Sequence, residues 1–312
     1  MTSLPELPAA VTVRVPAKVN LELFVGPRRP DGYHALSTIY QAVGLYDEVT
    51  VAEADEWGIT VRGRDVDKVP ADDSNLAMRA ARLIAAALGE DTPVHVTIDK
   101  EIPVAGGMAG GSADAAAALM ACETLWGGRH TREQLDTLAA TLGSDVPFLL
   151  HGGTAVGSGR GEVITPVLAQ GTYHWVFVPS TGEGLSTPAV YGAFDRRQGD
   201  LPIPEPVPSP AMMSALRAGD PQALAAVLAN DLQEDAIALQ PRIGEVLAAA
   251  MDFGALGGLV SGSGPTVALL ADGPEGAIDL AVALTASGAA HDVRRATGPV
   301  HGAQVIPGPR LT

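Results

Sequence analysis

Apolar residues alternate with polar or small ones at two places near the start of the chain, Val11, Val13 and Val15, then Leu21, Leu23 and Val25. A period of two sends one set of side chains to one face of a pleated strand, so both stretches read as strands. Pro27, Pro30, Asp31 and Gly32 punctuate a loop behind them. Further strands are expected over residues 47–52, 59–62, 94–98 and 152–158. Between residues 62 and 94 the period changes. Leu76, Met78, Ala80, Leu83 and Ile84 follow a helical spacing, with Asn75 as N-cap or nearby turn and Gly89 as the stop. Thr131 and Gln134 have the spacing of a capping box, for a helix that ends near Gly143.

The second half reads as strands over residues 175–179, 267–271 and near 292–296. Helices are expected after Asp220 and Pro221, over 242–251 and over 274–287. The segment LPIPEPVPSP, residues 201–210, lacks too many amide donors to pair as a central strand and reads as a stiff surface loop. Strands and helices mix without the regular alternation of a doubly wound sheet, so the class is α+β. A boundary between Gly161 and Tyr173 gives two expected domains, residues 1–165 and 166–312.

Composition narrows this picture. At 46% hydrophobic and 18% charged residues the chain can build a core, and with only 4% aromatics that core must be largely Ala, Val and Leu. The formal net charge of -16 would repel a polyanion, which disfavours nucleic acid as a partner. No apolar run approaches the ~18 residues of a membrane span, and MTSLPELPAA lacks the basic and apolar regions of a signal peptide. A cytoplasmic protein with no membrane partner, a monomer or weak homodimer, is therefore expected. Cys122 is the only cysteine, which excludes an intrachain disulfide and reads as a buried, inert thiol.

The most informative segment is PVAGGMAGGSADAAAALMACETLW, from Pro103 to Trp126. Its first half is glycine-rich loop and its second half, from about Ser112, is strong helix former. Glycines let the backbone approach a ligand closely, successive amides can point into one concavity, and the helix adds the positive end of its dipole. A strand, a glycine loop and a helix together make a cradle for phosphate. A flexible linker would not sit between a strand and an alanine-rich helix. A bulky residue at Gly110 is expected to intrude on the phosphates. A Walker A loop needs a lysine after its last glycine, whereas Ser112 follows Gly111 and no lysine follows Lys100. A dinucleotide fingerprint needs an acidic residue about 20 positions on at a strand end, and Glu133 falls inside an expected helix.

Residues 103–116 resemble the ATP-binding motif of the GHMP kinases. Two other signatures of that family occur in order: Pro16-Ala17-Lys18-Val19-Asn20-Leu21 resembles its N-terminal motif, and Ser261-Gly262-Ser263-Gly264-Pro265-Thr266 resembles its C-terminal glycine motif. Within the family, Asp31-Gly32-Tyr33-His34 and Leu142-Gly143-Ser144-Asp145-Val146-Pro147-Phe148 are similar to the branch that phosphorylates a sugar alcohol carried on a cytidine diphosphate. The resemblance implies an N-terminal ribosomal-protein-S5-domain-2-like domain, a C-terminal ferredoxin-like domain and a cleft between them. It also implies ATP and Mg²⁺, an acceptor hydroxyl on a small cytidine-diphosphate-bearing substrate, and a step in isoprenoid precursor synthesis. A homoserine or mevalonate type of kinase would leave Asp31 to His34 unexplained, and a regulator without catalysis would not need both Lys18 and Asp145. The chain departs from the family pattern where Ala105 and Ala109 replace glycine and Met108 replaces leucine.

The same resemblance assigns residues. Lys18 and Asp145 become the catalytic pair, the ammonium stabilising developing charge and the carboxylate accepting the hydroxyl proton. ATP falls to Val104, Ala105, Gly106, Gly107, Met108, Ala109, Gly110, Gly111, Ser112, Ala113 and Asp114, with Asn75 near the adenosine or simply capping its helix. Ser112 is also the candidate Mg²⁺ ligand. Asn20 orients substrate and Lys18. Tyr33 and His34 supply the aromatic platform and polar edge that cytosine requires, and Thr187 and Tyr191 form the opposite wall. Arg28 and Arg29 read as surface.

Overall fold

The computed structural model describes residues 9–104, 106–180 and 184–307. The chain opens with two long antiparallel strands, β1 (Ala10–Arg28) and β2 (His34–Glu53). β1 merges both alternating stretches of the sequence into one strand. It survives Pro16, which has no amide to donate, because the register shifts between Pro16 and Ala17. It shifts again between Asn20 and Glu22, so two irregularities bracket Lys18 and Asn20 and re-aim their side chains.

The remaining elements follow in order: β3 (Gly58–Gly63), α1 (Leu76–Leu88), β4 (Val94–Lys100), α2 (Gly110–Leu125), α3 (Arg132–Leu142), α4 (Val146–His151), β5 (Thr154–Ser158), β6 (Val163–Pro166), β7 (Tyr173–Val178), α5 (Thr187–Gln198), α6 (Pro210–Ala218), α7 (Pro221–Ala225), β8 (Ala229–Asn230), α8 (Gln233–Leu239), α9 (Arg242–Asp252), β9 (Gly257–Val260), β10 (Val267–Ala271), α10 (Gly273–Ala286), β11 (Arg294–Gly298) and β12 (Gln304–Ile306). Local signals work as the sequence predicts. Asn75 Oδ1 accepts from the Ala77 amide at 2.9 Å, and the Thr131–Gln134 capping box is formed. α2 starts at Gly110 rather than Ser112, because Ala109 takes the left-handed conformation (φ 62°) and serves as its N-cap.

Two sheets organise the chain. The larger runs β12-β1-β2-β4-β3, with β5 and β6 added beside β2 and β8 beside β1. The smaller runs β11-β7-β10-β9, antiparallel throughout. Strand alternation lets β7 serve two cores. Tyr173, Trp175 and Phe177 pack toward the first sheet and its helices, while Val176 and Val178 face the second core, beneath α5, α9 and α10. Trp175 Nε1 donates to Gln41 Oε1 at 3.0 Å, a buried bond between the two sheets. α2 lies within the first core. Its residues 113–119 are all buried, which alanine permits at nearly every turn. Cys122 is buried on it, and burial raises the thiol pKa, consistent with an inert cysteine.

The proline-rich segment carries no helix or strand over residues 201–209 but is anchored at its end. Ser209 donates to the buried Glu22 carboxylate through its amide (3.0 Å) and its hydroxyl (2.5 Å). Among the described residues no helix is long and apolar enough to cross a membrane.

Candidate active site

The three glycine- and lysine-bearing motifs, spread over some 250 residues, meet at one place. The Lys18 amide donates to the Met108 carbonyl at 3.3 Å, the Thr266 amide to the Gly106 carbonyl at 3.3 Å, and Ser261 Oγ to the Gly107 carbonyl at 3.0 Å. A side chain at Gly107 (φ 75°) would collide with the Ser261 carbonyl, and one at Gly262 would lie 3.1 Å from Lys18 Nζ. Glycine is needed at Gly107 because the two loops touch backbone to backbone there, and at Gly262 because its φ is 58° and the Lys18 ammonium lies close.

Lys18 is buried, and its Nζ donates to Asn20 Oδ1 at 2.6 Å. The orientation of that amide follows from its other partner. Thr38 Oγ1 donates to the Glu22 carbonyl (2.7 Å), so it must accept from Asn20 Nδ2 (2.8 Å), and this leaves Asn20 Oδ1 for the lysine. Lys18 Nζ also lies 3.9 Å from Asp145 Oδ2. Burial holds the Lys18 pKa below that of free lysine, and the Asp145 carboxylate partly opposes the shift. Asp145 immediately precedes α4, and its Oδ1 accepts from Tyr40 OH at 2.9 Å. Tyr40 is buried on β2 and stacked on Phe148 at 4.8 Å. Burial, then the Asp145 charge, keeps its hydroxyl protonated well past the ordinary tyrosine range.

These residues line a cavity of about 680 Å³ together with Gly107, Ala109 and Ser112 of the glycine loop. The first intrahelical bond of α2 runs from the Ala113 amide to the Ala109 carbonyl, and Ala109 has no side chain to cap the turn. The amides of Gly110, Gly111 and Ser112 therefore precede the helical ladder and are available to an anion. Val104 and Gly106 line another cavity of about 240 Å³. Met108 and Ala113 point their side chains into the core, Gly111 is exposed, and Ala105 lies outside the described residues. Both polar ends of the Asn75 side chain are occupied, Oδ1 by the Ala77 amide and Nδ2 by the Pro70 carbonyl (2.7 Å).

One expectation about the loop changes. A Cβ at Gly110 would meet Lys100 Nζ at 3.2 Å and Ile102 at 3.3 Å, so a bulky residue there would press first on the core. Its neighbour there is a buried ionic triad: Lys100 Nζ donates to Asp47 (2.5 Å) and to Asp114 (2.8 Å). Asp47 also accepts the Glu101 and Ile102 amides, at 2.6 and 2.9 Å. Burial pushes Asp114 up to about 8 against the pull of Lys100, while Lys100 itself is raised because the two carboxylates outweigh its own desolvation. Asp114 thus serves the base of the loop. Arg28 is exposed, as the sequence reading has it, and it also lines the large cavity.

The same cavity holds an aromatic set. Tyr33 is exposed, with the Arg160 guanidinium 4.9 Å from its ring centroid. His34 is buried and stacked on Tyr191 at 5.3 Å. Thr187 Oγ1 bonds Ser263 Oγ at 2.8 Å and ties the start of α5 to the third motif. The structure thus gathers Lys18, Asn20, Tyr33, His34, Asp145, Thr187 and Tyr191 around one cavity. Sequence reasoning missed Tyr40, Arg160 and Asp195. Tyr40 sits in an alternating strand and looks like any core aromatic, and the other two are single charged residues with no local pattern.

Comparison with known proteins identifies the family. The sequence matches the GHMP kinases N terminal domain over residues 75–153 and the GHMP kinases C terminal domain over residues 212–290. It is 54% identical, over 95% of the chain and all of the relative, to a 4-diphosphocytidyl-2-C-methyl-D-erythritol kinase of Streptomyces avermitilis. A crystal structure of 4-(cytidine 5'-diphospho)-2C-methyl-D-erythritol kinase superposes with a TM-score of 0.74 at 35% identity, covering 91% of this chain and 98% of that one. A homoserine kinase from Cytophaga hutchinsonii shares the fold (TM-score 0.69, 98% of this chain and all of that one) at only 18% identity.

Proposed function

The chain belongs to the GHMP kinases, within the family of 4-diphosphocytidyl-2-C-methyl-D-erythritol kinases, and on that premise we propose how its residues carry the reaction. The enzyme transfers the γ-phosphate of ATP to the 2-hydroxyl of 4-diphosphocytidyl-2-C-methyl-D-erythritol, in the non-mevalonate route to isoprenoids. The likeness to homoserine kinase is one of fold, so a homoserine or mevalonate acceptor is not favoured.

The observation that carries the residue assignment is the 3.9 Å approach of Lys18 Nζ to Asp145 Oδ2 beside the glycine loop. An acceptor hydroxyl between these two groups loses its proton to Asp145, while Lys18 stabilises the negative charge that grows on the oxygen. Phosphoryl transfer asks mainly for positioning and charge stabilisation, and both are supplied in advance here. Asn20 holds the ammonium, and Tyr40 holds the carboxylate. The amides of Gly110, Gly111 and Ser112 and the dipole of α2 bind the phosphates. Tyr33, His34, Thr187 and Tyr191 take the cytidine end of the substrate.

Mg²⁺, which travels with ATP, neutralises phosphate charge. No cluster of three or more His, Cys, Asp or Glu suited to a metal occurs among the described residues. Ser112 Oγ would be the protein's ligand to such an ion.

The test is a phosphorylation assay with ATP, offering 4-diphosphocytidyl-2-C-methyl-D-erythritol, homoserine and mevalonate in parallel. Phosphate is expected on the first alone. Comparable rates on homoserine or mevalonate would overturn the assignment.

A further inference from the structure

The cytidine end of the cavity contains a carboxylate that the reaction does not use. Asp195, near the end of α5, lines the cavity, and its Oδ1 lies 2.8 Å from His34 Nε2. A carboxylate can only accept, so the hydrogen of a neutral imidazole must sit on Nε2. Nδ1 is then a bare acceptor, and no described residue hydrogen-bonds to it. The ring is clamped on two further sides. Tyr191 stacks on it with an interplanar angle of 25°, and Phe194 meets it edge-on at 6.1 Å and 86°. A ring flip would replace Nε2 by a carbon and break the bond to Asp195. One tautomer and one orientation are therefore selected before any substrate arrives.

We propose that Asp195 is a positioning residue that locks His34 into the Nε2–H tautomer, so that Nδ1 accepts from the amino group of a 4-aminopyrimidine and rejects the 4-keto counterpart. This rests on the reading that His34 meets the base of the substrate. Cytosine and uracil differ at C4 in the polarity that this nitrogen would sense. The amino group is a donor and pairs with a bare Nδ1, whereas the keto oxygen is a second acceptor and leaves both lone pairs unsatisfied. Sites that hydrogen-bond a substrate group discriminate strongly against analogues that cannot reciprocate. In this arrangement the discrimination originates one residue away from the group that touches the base.

The experiment compares wild type with Asp195→Ala and Asp195→Asn, using the cytidyl substrate and its uridyl counterpart at saturating ATP. In wild type the cytidyl compound should be strongly preferred. With Asp195→Ala the imidazole can adopt either tautomer. The cytidyl KM should then rise about tenfold, with kcat and the KM for ATP within about twofold, and the cytidyl-over-uridyl preference should shrink about tenfold. Asp195→Asn keeps the shape but can accept or donate through its amide, so it should narrow the preference as well and covers a failure of the alanine variant to fold. A preference unchanged in the variants, or a wild type indifferent to the base, overturns the proposal while leaving the kinase assignment intact. A wild type that phosphorylates neither compound sinks the kinase assignment instead.

Discussion

The hydroxyl of Tyr40 donates a 2.9 Å hydrogen bond to Asp145 Oδ1, and this leaves Oδ2 as the oxygen that faces Lys18 at 3.9 Å. The carboxylate is thereby held in one rotation. The chain makes room for the tyrosine with glycine: a Cβ at Gly157 or at Gly161 would come within 2.5 Å of the Tyr40 side chain. Tyr40→Phe should keep the stack on Phe148 and the fold, while kcat falls about tenfold as Oδ1 loses its partner. Asp145→Asn, which removes the base itself, should cost kcat a larger factor of about 10² to 10⁴. Steady-state kinetics on both variants measure this order. A Tyr40→Phe enzyme with wild-type kcat would show that the tyrosine merely fills space.

Activity should fail on the alkaline side earlier than free lysine would allow. Burial lowers the Lys18 pKa from the ordinary lysine value of 10.5, and only the charged form stabilises the reacting oxygen. Raising pH through the lowered pKa therefore removes the catalytic charge. The profile of kcat/KM against pH should show an alkaline limb with an apparent pKa below 10.5, and a limb at or above that value would contradict the assignment.

The buried triad below the loop makes a prediction about stability. Lys100→Met leaves buried Asp47 and Asp114 without the cation they share and should cost about 3–5 kcal/mol in denaturant unfolding. Asp114→Asn should cost less, because the amide oxygen can still accept from Lys100. The pH dependence has a definite sign. The folded-state pKa of Asp114, about 8, lies above the ordinary aspartate value of 3.8, so the folded state holds a proton that the unfolded chain releases. The stability advantage of wild type over Asp114→Asn should fall as pH rises from about 4 to about 8, and level off above that. An advantage that grows with pH over this window would reverse the assignment of the proton.

Glycine and alanine in the loop should behave in opposite ways. Gly107→Ala drives a methyl into the Ser261 carbonyl, so it should loosen the contact between the first and third motifs and reduce both thermal stability and turnover. Ala109 already occupies the left-handed region at φ 62°, a strain of about 1–2 kcal/mol for a residue with a Cβ. Ala109→Gly relieves that strain at an entropic cost of about 0.4–1 kcal/mol, so the melting temperature should hold or rise slightly. A marked fall in Ala109→Gly would mean that the methyl contributes packing that the backbone strain conceals.

Local chemistry made much of this legible before any coordinates. Period-two alternation marks β1 and β4, a short apolar run marks β10, the caps at Asn75 and Thr131 mark their helices, and the glycine run before α2 marks an anion cradle, because each depends only on neighbours along the chain. Spacing could not reveal that 166–312 returns β8 and β12 to the first sheet, or that a side chain at Gly110 would meet Lys100. Nor could it single out Tyr40 and Asp195, whose partners lie 105 and 161 residues away. Those facts are set by which surfaces meet when the two sheets pack, and hydrogen bonds made across that packing leave no periodic trace in either partner's own segment.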